Sequence, residues 1–215
     1  MNNPTLDEKL SIIGVQLATG LSLQTRKLWV DIEQTIYEAS REIPNDSRLL
    51  SLLCSWVLVH GDRVIVEKLM RLQKKENSPW LVAIAIFAEN KGFHKWRRLI
   101  KKQKQEMFLI DKSLALSSIR LKGEEPGMKK QNFLIPMGSI RSRDKDALSV
   151  QELARINTQY RNRLIYGAAI RSDVITAIEF GFKTPYAIAK AVGCSYEPAH
   201  RIFGEYQLVK SLRAS

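Results

Sequence analysis

The sequence predicts a mainly α-helical protein in two parts, a helical N-terminal domain over residues 1–121 and a smaller helical domain over residues 148–215. Three observations lead there. Apolar residues recur at helical spacing behind residues suited to capping helix N-termini. The stretch between the two parts, residues 122–147, gathers Gly123, Pro126, Gly127, Pro136, Gly138 and many charges, and reads as a linker or loose loop. Charge is also divided: residues 1–90 carry 10 Lys or Arg against 11 Asp or Glu, a net of −1, whereas residues 91–215 carry 24 against 11, a net of +13. With 215 residues and a hydrophobic content of 45%, the chain has the material of an ordinary globular protein with a real core.

In the first part, Thr5 followed by Glu8 forms a capping box, and Ile12, Ile13 and Leu17 follow on one face. A second helix is expected over Ser22 to Glu42, since Leu28, Ile32 and Ile36 recur every four residues and Pro44 stops it. Asn45, Asp46 and Ser47 supply caps before LLSLLCSWVLV, which is apolar on all sides and reads as a central buried helix ended by Gly61. Val64 to Leu72 and Trp80 to Glu89 read as two more helices, the latter with Pro79 in its first turn. The run KGFHKWRRLIKKQK then puts seven Lys or Arg into fourteen residues around Phe93 and Trp96. It fits a phosphate-tracking surface that includes Lys101, and equally a helix with one solvated basic face and its aromatics in the core.

After the linker, Ser149 and Glu152 form a second capping box, with Leu148 and Leu153 as a hydrophobic staple, so a helix is expected over Val150 to Ile165. Its Arg155, Arg161 and Arg163 would line a positive face. Ile170, Val174 and Ile178 define the next helix, ending near Gly181. Thr184 caps a short helix with Pro185 at its first position, packing through Ile188, Ala189 and Val192. Gly193 supplies the positive φ of a tight turn, and Ser195 caps a last helix in which Pro198 falls harmlessly in the first turn. In that helix, residues 195–206, the core takes Ala199, Ile202 and Phe203, leaving Tyr196, Glu197, His200 and Arg201 outward. Such a face fits the major groove: Arg201 can read guanine or a phosphate, His200 can donate, Glu197 can accept from cytosine, and Ser195 and Tyr196 can hold backbone phosphate.

The pattern of Ile188, Ala189, Gly193, Ala199 and Ile202, with Leu208 and Val209 beyond, resembles the winged helix-turn-helix domains of bacterial transcriptional regulators over about 50 residues. The resemblance implies a winged-helix-like DNA-binding unit in which Leu208 and Val209 begin the wing. Because the sequence ends at Ser215, that wing has room for one strand but not its return. The implied function is a sequence-specific regulator that binds double-stranded DNA as a homodimer, with recognition helices roughly 34 Å apart. The DNA-binding residues it implies are Thr184, Ser195, Tyr196, Glu197, His200 and Arg201, joined by Lys101 and Arg163 from the basic surface. More loosely, the helical N-terminal part resembles bacterial regulators with an antitoxin role. That leaves a second reading, an interaction module that neutralises a protein partner through its N-terminal helices.

Catalytic chemistry finds little footing. The three histidines, His60, His94 and His200, have no ligand spacing, and the phosphate-loop, dinucleotide and nucleophile-elbow patterns are absent. His60, at the end of an apolar helix, is expected to serve the helix dipole, and Glu124 and Glu125 have no apolar setting to separate their pKa values. No enzyme, catalytic residue, metal or cofactor is expected. Cys54 and Cys194 match neither a disulfide framework nor a metal site, and the longest apolar stretch, Trp80 to Ala88, is too short for a bilayer, so a cytoplasmic protein without membrane contact is expected.

Overall fold

The computed structural model describes residues 4–17 and 28–212. Among them lie eleven α-helices and a single pair of two-residue parallel strands, so the protein is mainly α-helical. Buried apolar side chains form two clusters, a large one drawing on residues 10–160 and a small one on residues 174–202.

Helix α1 (Leu6–Ile12) opens with the expected capping box: Thr5 Oγ1 accepts from the Glu8 amide, and Glu8 Oε2 accepts from the Thr5 amide at 2.7 Å. Helix α2 (Ile32–Glu42) is shorter than its apolar repeat suggested, because Asp31 caps it by accepting from the Gln34 amide at 3.0 Å. Leu28 precedes the helix, and the remainder of the expected start, through residue 27, lies outside the described residues. Helix α3 (Arg48–His60) follows a turn, then α4 (Val66–Lys75) and α5 (Pro79–Asn90). Every residue from Trp80 to Ala88 is buried, so α5 is more enclosed than α3, where Ser51, Leu52, Leu58 and Val59 are only half-buried.

The basic run after α5 is a 3-10 turn over His94–Leu99 and not an α-helix. Trp96 is buried and donates its indole N–H to the Gly61 carbonyl at 3.2 Å, while Phe93 lies so close to Gly61 that an added Cβ would stand 3.1 Å from its ring. Gly61 is thus fixed by this approach as well as by its place at the end of α3.

The segment expected to be a loose linker is part of the core. Helix α6 (Lys112–Lys122) is followed by a fold-back in which the Glu125 amide donates to the Ile135 carbonyl and the Met137 amide to the Gly123 carbonyl. Strand β2 (Phe133–Leu134) pairs with β1 (Met107–Phe108), and Met128, Phe133 and Ile135 are buried in the large cluster. The N-terminal strand-like residues close this region, with Leu148 donating to the Gly14 carbonyl at 2.8 Å. Apolar residues every few positions outweighed the glycines and prolines.

The helix expected over Val150–Ile165 is two helices, α7 (Val150–Ile156) and α8 (Thr158–Tyr166). Asn157 divides them: its Oδ1 accepts from the Tyr160 amide at 2.8 Å, restarting the helix, while its Nδ2 donates to the Ile12 carbonyl. Leu153 and Tyr160 belong to the large cluster, so both helices side with the N-terminal core, and the change of core falls near Gly167 and not at residue 148. Helices α9 (Ile170–Glu179), α10 (Pro185–Val192) and α11 (Tyr196–Leu212) make up the small cluster. The wing strand expected at Leu208 and Val209 is absent, since both residues continue α11 in a helical register. No described helix is long and apolar enough to cross a membrane.

Candidate functional site

The three terminal helices are assembled from local signals. Thr184 accepts from the Ala187 amide at 3.2 Å, and Pro185 occupies the first helical position of α10. Gly193 closes α10 in the left-handed conformation, φ 70°, where a Cβ is disfavoured. The chain then turns into α11, whose Ala199 and Ile202 are buried against Ile188, Ala189 and Val192 of α10 and Val174, Ile175 and Ala177 of α9. Small residues at 177, 189 and 199 let the helices approach closely.

This arrangement leaves the opposite side of α11 in solvent. Ser195, Tyr196, Glu197, His200 and Arg201 are all exposed, and Thr184 is exposed at the start of α10. Tyr196 stacks on His200 with centroids 5.5 Å apart. Arg201 lies 3.9 Å from both Glu197 and Glu205, loose contacts that leave the guanidinium available. Tyr186, at 71% exposure on α10, belongs to the same unit and was not anticipated, although a seam at residues 188, 189 and 192 turns it outward.

Two predicted positions lie away from this face. Lys101 is exposed in the loop after the 3-10 turn. Arg163 is fully buried and does not line a positive surface. Its guanidinium donates to Glu33 at 2.6 and 2.7 Å and to Asp173 at 3.0 and 2.9 Å, and reaches the Arg63 carbonyl at 2.9 Å. A charge so enclosed cannot meet a phosphate.

Around Arg163 stands a buried ionic cluster. Lys68 of α4 pairs with Asp31 and, at 2.7 Å, with Asp173 of α9. Gln159 of α8 accepts from the Ile32 amide and donates to Asp31. Burial raises the carboxyl of Glu33, but the charges of Arg163 and Lys68 outweigh it and bring the pKa down to about 2. Asp31 moves the other way, raised chiefly by burial. The carboxylates of Asp31, Glu33 and Asp173 converge within 4.8 Å, a spacing that would suit a cation, but Arg163 and Lys68 already supply the positive charge. The cluster therefore joins α2, α4 and α8 of the large core to α9 of the small one.

His60 is also used internally. Its Nε2 donates to the Leu148 carbonyl at 2.9 Å and its Nδ1 faces the Tyr160 hydroxyl at 2.7 Å, so it crosses between helices instead of serving the α3 dipole. Burial, opposed by the Leu148 carbonyl, pushes its pKa down to about 4, and burial pushes Tyr160 up to about 12.

The surplus positive charge does not lie on the three terminal helices. Residues 168–212 carry five Lys or Arg against four Asp or Glu, whereas residues 91–147 carry fifteen against six. Part of the latter set is spent internally: Lys95 donates to the Asp62 and Val64 carbonyls, Arg98 pairs with Glu67, and Arg97 approaches Glu89. Lys101, Lys102 and Lys104 stay exposed with no ion pair among the described residues. No protein family, curated protein or solved structure matches the chain.

Proposed function

We propose that the chain is a DNA-binding regulator that reads a duplex with the N-terminal half of α11. The observation that carries this reading is the division of that helix: Ala199 and Ile202 are sealed against α9 and α10, while Tyr196, Glu197, His200 and Arg201 stand together in solvent. A helix presented in this way fits the major groove, where an arginine can bridge two acceptors of guanine. Long-range attraction then comes from the exposed Lys101, Lys102 and Lys104, so sequence selection and salt-dependent affinity belong to different segments. With α11 helical to Leu212, the unit works as a plain helix-turn-helix without a wing contact.

The test is a shift assay on random duplex and on DNA upstream of the protein's own gene, titrated with salt. Tight binding that weakens steeply with salt and prefers the upstream DNA is expected. Arg201→Ala should relax preference at one base position, and replacing Lys101, Lys102 and Lys104 together should lower the salt slope by about 3 without changing preference. Absence of binding at low salt sinks the reading. A protein-interaction role, such as an antitoxin, is favoured by α6, where Leu114 and Leu121 are 61% and 84% exposed beside Lys112, Arg120 and Lys122. A specific co-purifying chain lost on Leu121→Ser would establish it.

A further inference from the structure

Between the large core and the helix-turn-helix unit lies a cleft of about 750 Å³, within the size range of small-molecule sites. Its walls come from α1, from α2 and the residues before it, from α4, and from the end of α10 with the turn into α11. Five basic residues line it, Lys9, Lys68, Arg71, Lys75 and Lys190, against one acidic residue, Asp31. Lys68 and Asp31 neutralise each other, and Lys9 is held by Glu38 at 2.8 Å. Arg71, Lys75 and Lys190 are exposed and make no ion pair or hydrogen bond among the described residues. Arg71 and Lys75 stand one turn apart on α4, so both project to the same side, and Lys190 belongs to the opposite wall on α10. Like charges from two separate cores, facing one concave space with no protein counter-charge left, favour a small anion with several charged groups.

We infer that this cleft binds a small phosphorylated ligand, gripped by Arg71 and Lys75 from the large core and by Lys190 from the helix-turn-helix unit. Such a ligand spans the two cores and adds to the ionic docking that Lys68 and Arg163 already provide. Trp29 forms part of the wall, its ring held edge-on by Phe180 at 5.5 Å and Phe182 at 5.9 Å, and offers an apolar surface beside the cations. Binding rests on the cleft's own chemistry. Its consequence for DNA rests on the regulator reading given above.

The two are separable by experiment. Of the four tryptophans Trp29 alone lines the cleft, so an emission change that is lost in Trp29→Phe reports on it. Cys194 lines the cleft whereas Cys54 is fully buried, so a thiol reagent reports on the same place. The probes are ATP, inorganic pyrophosphate and adenosine, added to the 215-residue chain without DNA. ATP should change the emission saturably and slow Cys194 labelling, and pyrophosphate should compete with it. Arg71→Ala and Lys190→Ala should each weaken ATP at least tenfold with unchanged melting, while Arg201→Ala should leave it as in the parent. The inference is overturned if millimolar ATP and pyrophosphate give no saturable change, if adenosine competes and pyrophosphate does not, or if well-folded Arg71→Ala and Lys190→Ala variants bind ATP normally. Because no arm contains DNA, these outcomes are independent of whether the duplex is bound.

Discussion

The large and small cores are built on different scales. The large one encloses Trp56, Trp80, Trp96, Phe133 and Tyr160 within a shell of aliphatic residues and has α5 buried along its length. The small one has eight buried apolar side chains, three of them alanines and none aromatic. Burial that limited is marginal for an independent unit. What the small core lacks in apolar area is supplied at its border, where Arg163 and Lys68 bind Asp173 to Glu33 and Asp31, and where Trp29 meets Phe180 and Phe182. A three-helix unit this thin depends on a docking surface, and here the docking is ionic as well as apolar.

The sharpest way to break that comparison is Arg163→Ala. It leaves Glu33 and Asp173 buried without their cation, and urea unfolding should show a loss of about 4 kcal/mol; a loss under 1 kcal/mol would mean the cluster holds nothing together. Acid is the next largest probe and acts within the large core. His60 has a folded pKa of about 4 against an ordinary 6.5, so the unfolded state takes up its proton first. The stability this confers is complete above pH 6.5 and is lost as pH falls toward 4, roughly 3 kcal/mol in all. Asp31, with its raised pKa, has the opposite sign, so the measurement is the difference between the parent and His60→Gln across that window, the variant lacking the decline. A smaller effect separates the cores directly: Ile202→Ala should cost about 2 kcal/mol and speed amide exchange in residues 170–212 alone, whereas Ile36→Ala should speed it throughout. Uniform exchange in both variants would make the two cores one cooperative unit. Smallest is Ser149→Ala, which removes the α7 cap and should cost about 1 kcal/mol in thermal unfolding.

Local signals were legible in the sequence. The capping boxes at Thr5 and Ser149, the Thr184–Pro185 start and the left-handed Gly193 each specify a short stretch of backbone through atoms a few residues apart. The exposed face of α11 followed from the same periodicity. Distant pairings were not legible. Arg163 looked like surface charge because its partner Glu33 lies 130 residues earlier, and no periodicity announces such a pair. A clue existed in Asp173, which falls one turn after Ile170 and next to Val174 and so sets a carboxylate beside the apolar face of α9, where it requires a buried cation. Asn157 reads as an ordinary helix residue until Ile12 comes within reach of its amide. Residues 122–147 misled through composition: glycine and proline shape the turns there, while Met128, Phe133 and Ile135 hold those turns in the core. Leu208 and Val209 suited a strand and a helix equally, and the uninterrupted hydrogen-bonding of α11 decided between them.

That last helix has a mechanical consequence. Seventeen residues make a rod about 25 Å long, seated on the body through Ala199, Ile202, Phe203 and Tyr206, with Glu205 paired to Arg171 at 2.8 Å. Its head carries polar groups, and its tail carries Leu208, Val209 and Leu212, exposed by 63%, 49% and 69%. The rod is therefore a beam clamped from Ala199 to Tyr206, with an apolar end that overhangs the body. A sideways push on that end is resisted first by the seat at Phe203 and Tyr206 and by the Arg171–Glu205 pair, so it re-aims Tyr196 and Arg201 only as far as those contacts yield.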